Sequence, residues 1–86
     1  MYDVYFGKKA QSDKTRLKNA GLAAKAMTLI EIIARNPFET PPRYEKLAGD
    51  LKGYDSRRIN RTHRIVYSVD EAERIVRIYR MWTHYE

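Results

Sequence analysis

The pattern of apolar positions predicts one clear helix, over residues 22–35. Apolar side chains recur there at three- and four-residue steps and form a single stripe. Pro37 ends this helix, because Asn36 before it is pushed out of the helical region of backbone conformation. The three prolines of residues 36–43 predict a loop. The stripe consists of Leu22, Ala23, Ala26, Leu29, Ile30 and Ile33.

The segment before this helix is patterned less strongly. Residues 2–6 are aromatic and β-branched and stop at Gly7, which predicts a short first strand. Residues 8–19 are strongly polar with few apolar positions, and we interpret them as a weakly patterned helix. Gly21 supplies the C-terminal stop of that helix, since glycine adopts the left-handed conformation without a steric penalty.

The second half of the chain alternates with the two-residue period of β-strands. The alternation is clearest over residues 63–69 and 74–82, on either side of a polar turn. Residues 57–61 form a further candidate strand, and residues 44–47 a short one. Together these elements predict a single α+β domain over residues 1–86, a small antiparallel β-sheet with two N-terminal helices packed on one face. The other face of such a sheet can be open to water.

Length and composition bound the class of protein. The 86 residues leave room for one modest core, and 33% charged with 43% hydrophobic residues indicate a soluble globular chain. No apolar run approaches the ~20 residues that span a bilayer, and residues 1–4 lack the layout of a secretory signal, so we expect a cytoplasmic protein. The lack of cysteine excludes a disulfide scaffold and a cysteine-based metal site, and the two histidines are far apart in sequence. We therefore expect no metal and no other cofactor.

The charge of the chain indicates a polyanionic partner, with a net charge of +6 and a pI near 9.7. After Lys52 every strongly basic residue is an arginine, whose rigid and permanently charged fork matches phosphate oxygens. A basic surface can serve solubility alone, but arginines concentrated in predicted strands favour phosphate contact and a nucleic-acid platform. These arginines are Arg57, Arg58, Arg61, Arg64, Arg74, Arg77 and Arg80.

Metal-free cleavage of RNA needs a base for the ribose 2′-hydroxyl, an acid for the leaving 5′-oxygen and cations for the charge that grows on the phosphate. Glu45 is a candidate base, because a short strand after the proline loop would aim it from the sheet, although it is one acid among 11 and could simply be solvated. His84 is a candidate acid, since histidine titrates close to neutral pH, although it could be a solvated tail residue. Arg64 should project from the open face, where Arg57 or Arg58 could flank it.

The aromatic residues and the second histidine have structural alternatives. Trp82 and Tyr85 could stack on unpaired bases, as single-strand binders require. Core packing explains Tyr67 and Tyr79 more simply, since large aromatic side chains in strands usually fill the core. His63 shares a strand face with apolar residues, which favours a hydrogen-bonded core residue over a catalytic one.

Five short motifs follow one another along residues 36–85. They are Asn36-Pro37-Phe38-Glu39, Tyr44-Glu45-Lys46-Leu47, Leu51-Lys52-Gly53-Tyr54-Asp55-Ser56-Arg57-Arg58-Ile59-Asn60, His63-Arg64-Ile65-Val66-Tyr67 and His84-Tyr85. Each motif alone is weakly specific, but five in order with compatible spacing are specific. In this arrangement the chain resembles the Txe/YoeB family of bacterial toxins, which belong to the RelE-like mRNA interferases of type II toxin-antitoxin systems.

The resemblance implies a RelE-like, microbial RNase-like fold and a ribosome-associated endoribonuclease that cleaves mRNA without a metal, with the ribose 2′-hydroxyl as nucleophile. By position, Glu45 corresponds to the family's general base and His84 to its general acid. Arg64 corresponds to the arginine that stabilises the pentavalent phosphate. Tyr85 matches the tyrosine that closes the family's site.

The resemblance also implies which residues bind the substrate. Arg57 and Arg58 match the phosphate-facing pair of the family. The family often has a lysine just after its Glu-x-Leu unit, where this chain has Ala48, and Lys46 is the candidate substitute.

The partners implied by the resemblance are mRNA, the ribosome and a cognate antitoxin of the YefM, Axe or Phd type, whose C-terminal segment would cover the open face. The family also implies a homodimer, or a heterocomplex with the antitoxin, and no membrane. The alternative is a non-catalytic RNA- or ribosome-binding module that uses the same basic face. A DNA-binding regulator is a weaker third hypothesis, because the sequence has no helix-turn-helix signature.

Overall fold

The structure, a computed structural model, describes residues 1–82. It consists of one five-stranded sheet with two helices packed against it. In chain order the elements are β1 (Asp3–Phe6), α1 (Lys8–Asn19), α2 (Ala23–Arg35), β2 (Glu45–Lys46), a short 3₁₀ turn (Gly49–Leu51), β3 (Asp55–Arg58), β4 (Arg64–Asp70) and β5 (Ile75–Arg80). Within residues 1–82, neither helix has the length and apolar character needed to cross a bilayer.

The strands lie in the order β1-β5-β4-β3-β2. The last four strands of the chain form an antiparallel meander, and β1 pairs with β5 in parallel. The predicted α+β class with two N-terminal helices is confirmed, while the sheet is mixed rather than wholly antiparallel. Alternation of apolar residues shows that a segment is a strand but reveals neither its direction nor its neighbour. Here α1 and α2 carry the chain from β1 at one edge of the sheet to β2 at the other.

The predicted stripe of α2 is confirmed as the helical half of the core. Ala26, Leu29, Ile30 and Ile33 are all buried. They pack with buried residues of the sheet, among them Ile65, Tyr67, Val76 and Ile78. A core of this kind buries one stripe of the helix and one face of the sheet, which leaves the second sheet face available for other contacts.

Helix α1 is held to the sheet by a buried acid. Its buried positions are Ala10, Asp13 and Leu17, so the middle of the stripe is polar. The Asp13 carboxylate accepts hydrogen bonds from Arg80 Nε at 2.9 Å and Nη2 at 3.2 Å. It also accepts one from the Met81 backbone N–H at 2.9 Å. A fully buried carboxylate is tolerated here because a bidentate arginine and a backbone donor satisfy it.

A bulge interrupts the predicted alternation of the last two strands. Val66 pairs with Arg80 and Tyr67 with Ile78, so Tyr79 has no partner of its own in the register. Strict alternation from Val76 and Ile78 predicts that Trp82 is buried on the same face. Beyond the bulge, Met81 is buried instead. An extra residue in one strand shifts the side chains that follow it to the opposite face.

Candidate active site on the open face of the sheet

The register of β2, β3 and β4 places the candidate residues on one face. Glu45 of β2 lies opposite Ser56 of β3, and Ser56 lies opposite Val66 of β4. Two residues further along β3, Arg58 lies opposite Arg64 of β4. Because side chains alternate between the two faces of a sheet, these five residues project to the same side. That side is the one not covered by the helices, and we call it the open face.

Glu45 and Arg64 come together on the open face. Arg64 Nη1 lies 3.8 Å from Glu45 Oε1, a separation typical of an ion pair but longer than a hydrogen bond. The Glu45 side chain is 44% exposed and that of Arg64 is 20% exposed. The carboxylate is therefore reachable from solvent, while the guanidinium is partly sheltered from water. Partial burial strengthens the attraction of such a group for an anion.

A cleft of about 350 Å³ opens beside this pair. It is lined by Pro42, Arg43, Glu45, Ser56 and Arg58. Two arginines and one glutamate therefore line a single concave surface. Arg58 is exposed, and its Nη1 donates a hydrogen bond to the Arg61 carbonyl oxygen at 3.1 Å. This bond uses only one of the five N–H donors of a guanidinium.

Arg57 lies on the opposite side of β3 from Arg58 and is only 1% exposed. Its Nη2 donates to the carbonyl oxygens of Pro37 and Glu39, each at 2.9 Å, and its Nη1 donates to that of Pro42. These three acceptors belong to the proline loop that joins α2 to β2. The loop carbonyl oxygens engage the buried guanidinium, so the structure does not bring Arg57 to the cleft, and its predicted phosphate contact stays a prediction.

Tyr67 completes the network around Arg57. Its hydroxyl accepts a hydrogen bond from Arg57 Nε at 3.0 Å and donates one to the Pro37 carbonyl oxygen at 3.1 Å. Burial raises the pKa of Tyr67 to about 12, so the phenol stays neutral at physiological pH. The expectation that Tyr67 is a core residue is confirmed. Tyr79 is half-buried, with its ring 5.4 Å from that of Tyr54.

Lys46 follows Glu45 and projects from the other face of β2. Its ammonium group lies 3.9 Å from Asp55 Oδ1 on the neighbouring strand. Burial of Asp55 raises the pKa of that carboxyl, and the nearby cations Lys46 and Arg57 oppose the shift. The structure therefore does not bring Lys46 to the cleft with Glu45, and its role in substrate binding stays a prediction.

His63 is half-buried and stacks on Trp82, with ring centroids 3.9 Å apart and an interplanar angle of 20°. The Trp82 ring is thus engaged by a side chain of the same molecule, at the start of β4. His84 and Tyr85 lie outside the described residues, so their predicted roles stay predictions. Among residues 1–82 no three histidine, aspartate or glutamate side chains come close enough to hold a metal ion.

The sequence did not point to two polar residues of the cleft, Arg43 and Ser56. Ser56 belongs to the Ser-Arg-Arg-Ile motif and has the same strand parity as Arg58, so alternation alone could have placed it on the open face. Arg43 lies in the proline loop, where no periodicity predicts the direction of a side chain. As a whole, the open face can hold an anion between guanidinium groups beside a carboxylate that can accept a proton.

Comparison with known proteins gives a consistent result. Residues 6–85 match the family described as "YoeB-like toxin of bacterial type II toxin-antitoxin system". The chain is 42% identical over 66 residues to a protein named Toxin YoeB from Synechocystis sp.. These 66 residues make up 77% of this chain and 70% of that protein.

Solved structures agree in fold over almost the entire chain. The structure of a heterotetrameric YoeB-YefM toxin-antitoxin complex from Staphylococcus aureus contains a chain with a TM-score of 0.81 and 33% identity, covering 99% of both chains. A YoeB/ParE toxin from Agrobacterium tumefaciens has a TM-score of 0.85 and 29% identity, covering 96% of this chain and 99% of that one. Because the family match spans residues 6–85, the chain belongs to the YoeB-like toxins of bacterial type II toxin-antitoxin systems.

Proposed function

We propose that this toxin is a metal-independent, ribosome-dependent endoribonuclease that cleaves mRNA and thereby inhibits translation. The observation that carries the proposal is the Glu45 carboxylate 3.8 Å from the Arg64 guanidinium, beside a cleft that Arg58 also lines. A proton acceptor next to phosphate-binding cations is the pair of functions that attack by a ribose 2′-hydroxyl requires.

In the proposed reaction, Glu45 takes the proton of the ribose 2′-hydroxyl as that oxygen attacks the adjacent phosphorus. A bond forms between the 2′-oxygen and phosphorus, and the bond between phosphorus and the 5′-oxygen breaks. His84 protonates the leaving 5′-oxygen, so the products are a 2′,3′-cyclic phosphate and a 5′-hydroxyl. All atoms and charges balance without a further reactant.

Arg64 and Arg58 stabilise the charge that develops on the phosphate oxygens. Arg64 is the better placed of the two for this role, because its partial burial limits screening by water. Tyr85 closes the site beside His84 in this proposal. Lys46 contributes positive charge at the edge of the sheet rather than a contact in the cleft, since its ammonium lies near Asp55.

The proposed partners are the translating ribosome with its mRNA and a cognate antitoxin of the YefM, Axe or Phd type. A YoeB-YefM complex from Staphylococcus aureus and a RelBE2 toxin-antitoxin complex from Mycobacterium tuberculosis are among the similar structures. The C-terminal segment of the antitoxin would cover the open face and neutralise its arginines. We further propose a cytoplasmic protein that forms a homodimer or a heterocomplex with the antitoxin.

The proposal is tested with ribosomes that carry a defined mRNA. The toxin is first treated with a chelator and desalted, so that only the magnesium of the ribosome buffer remains. We expect cleavage of the bound mRNA, poor cleavage of the same mRNA free in solution, and fragments that end in a 2′,3′-cyclic phosphate. An mRNA with a 2′-deoxynucleotide on the 5′ side of the cut should resist cleavage, since the nucleophile is missing.

Two outcomes would contradict the proposal. Cleavage of the 2′-deoxy mRNA would show that another nucleophile attacks. Tight ribosome binding with intact mRNA would instead favour the non-catalytic RNA- or ribosome-binding module. A His84→Ala variant tests the proposed acid, with an expected rate loss of ~10²–10⁴, and the exposed Lys25→Ala on α2 is its control.

A further inference from the structure

Ser56 has a buried hydroxyl group that the proposed mechanism does not use. The residue is 2% exposed, and its Oγ has no hydrogen-bond partner among the described residues. Buried hydroxyl groups nearly always have a partner, because an unpaired one loses its hydrogen bonds to water without replacement. A strand residue with this property, in the floor of a candidate active site, calls for a functional explanation.

The position of Ser56 restricts which group could become its partner. Ser56 lies directly opposite Glu45 in the antiparallel ladder, and both residues line the cleft. The Cβ atoms of such a pair are usually ~4.5–5.5 Å apart on the same face. Rotation about the bonds of the flexible Glu45 side chain can therefore bring its carboxylate toward the Ser56 hydroxyl.

The ion pair of Glu45 explains why a second partner is needed. Arg64 faces the Glu45 carboxylate, yet Arg64 is also the residue proposed to hold the RNA phosphate. A phosphate bound to Arg64 competes with the carboxylate for the same guanidinium hydrogens and repels it as a like charge. A donor in the strand directly opposite Glu45 would hold the carboxylate in the cleft when it is needed as a base.

We propose that Ser56 is a positioning residue, whose hydroxyl donates a hydrogen bond to the Glu45 carboxylate when an RNA phosphate engages Arg64. This inference rests on the proposed endoribonuclease function. The hydrogen bond holds the carboxylate near the ribose 2′-hydroxyl and leaves its second oxygen to accept the proton. The unpaired hydroxyl of the free protein is thus satisfied in the complex with RNA.

Other charged groups also act on Glu45 and stay unchanged when the Ser56 hydroxyl is removed. Arg43 lines the cleft from the segment just before β2, and Lys46 is the next residue along, with its ammonium toward Asp55. The remaining cations are Arg58 from β3 and Arg64 from β4. A change in pH dependence after substitution of Ser56 alone therefore reports the hydroxyl.

The test compares single-turnover cleavage of ribosome-bound mRNA by the wild type and by Ser56→Ala. We expect the rate at saturation to fall about tenfold, with little change in the half-saturating concentration. This is the low end of what one hydrogen bond to a charged group contributes. The acid limb of the pH–rate profile should move to higher pH, because the ionised carboxylate loses a donor. Thermal stability should be unchanged or higher, since no hydrogen bond of the free protein is lost.

Control variants separate the hydroxyl from the volume of the side chain. Ser56→Thr and Ser56→Val have nearly the same shape, and we expect only the threonine variant to keep the wild-type pH profile. Ser68→Ala removes a hydroxyl from the same side of β4 and should leave cleavage unchanged. Equal rates for wild type and Ser56→Ala would overturn the inference, as would a slower rate with an unshifted pH profile.

A titration without catalysis distinguishes failure of this inference from failure of the proposed function. In an Arg64→Gln background the Glu45 carboxylate has lost its ion-pair partner, so Ser56 should already donate a hydrogen bond to it in the free protein. We expect the midpoint of the Glu45 side-chain titration, followed by carbon-13 NMR, to be higher in Arg64→Gln/Ser56→Ala than in Arg64→Gln. Identical midpoints would refute the positioning role even if the wild type proved inactive on mRNA.

Discussion

Arg57 and Arg58 are neighbours in the same strand, yet they meet different surroundings. Arg57 is buried and donates hydrogen bonds to three carbonyl oxygens of the proline loop and to the Tyr67 hydroxyl. Arg58 is exposed and lines the cleft with Glu45. The two-residue period of the strand assigns one guanidinium to the fold and the other to the candidate chemistry.

The difference teaches that a pair of arginines in a motif need not share a function. A buried guanidinium has five donors to satisfy, and a proline-rich loop offers carbonyl oxygens with few N–H groups of its own to pair them. Arg57 therefore holds the loop that leads into Glu45, while Arg58 stays exposed on the open face, where an external anion can reach it. The same residue type serves both roles because each surface supplies different partners.

The largest expected effect is on stability, from Arg57→Met. This change keeps much of the side-chain volume but leaves one buried carbonyl oxygen, two partly buried ones and the Tyr67 hydroxyl with fewer donors. Each buried group that loses a partner costs about 1–3 kcal/mol. We expect the free energy of unfolding in urea to fall by at least about 3 kcal/mol in total. Arg58→Met is the matched control and should stay within about 0.5 kcal/mol of the wild type. Equal losses in the two variants would break the comparison.

Arg58→Met should have the opposite signature, a loss of cleavage without a loss of stability. Removal of one preorganised donor to a developing anion typically lowers the rate by ~10²–10³. Single-turnover cleavage of ribosome-bound mRNA measures this effect, and Arg77→Met, at an exposed position of β5, serves as the control. A wild-type rate for Arg58→Met would remove Arg58 from the proposed site.

A smaller effect is expected from Tyr67→Phe, which removes only the hydroxyl of the Arg57 network. The loss of this donor and acceptor should lower stability by about 1–2 kcal/mol at pH 7, whereas the exposed Tyr5→Phe should have almost none. Since burial raises the pKa of Tyr67 to about 12 from an ordinary value of 10.0, its contribution is complete below pH 10 and is lost as the pH rises toward 12. Urea unfolding at pH 8 and pH 11 checks both points.

The sign of this pH dependence shows whether the Tyr67 hydroxyl is buried in the network with Arg57. The wild type should lose more stability than Tyr67→Phe between pH 10 and pH 12, because the folded protein holds the phenolic proton more tightly than the unfolded chain. Parallel curves for the two proteins would show that Tyr67 is not buried in the network as described.

Much of the fold could be predicted because its apolar residues follow simple periods. The stripe of α2 led directly to its buried residues, and the alternation of β4 led to Ile65 and Tyr67. It did not indicate the burial of Val66, which projects to the open face. Helix α1 was less visible, since the middle of its stripe is Asp13, a polar residue whose burial depends on Arg80 far along the chain. The parallel pairing of β1 with β5 was also hidden, because local pattern carries no information on strand direction.

The site could be predicted in part. Family resemblance indicated Glu45 and Arg64, and the structure places them together. The burial of Arg57 was not foreseen, because the expectation rested on residue type and motif. Its parity with the apolar Ile59, two residues on, would have indicated the covered face. The carbonyl oxygens that bind Arg57 come from a loop whose path no periodicity describes.

The most direct test of the open face as the catalytic surface is the cleavage rate of Glu45→Gln on ribosome-bound mRNA. Glutamine keeps the size and polarity of the side chain but cannot take the 2′-hydroxyl proton, so we predict a rate ~10²–10⁴ below that of the wild type, with unchanged stability. Glu31→Gln, at an exposed position of α2, should cleave at the wild-type rate. A Glu45→Gln variant that cleaves as fast as the wild type would contradict the account.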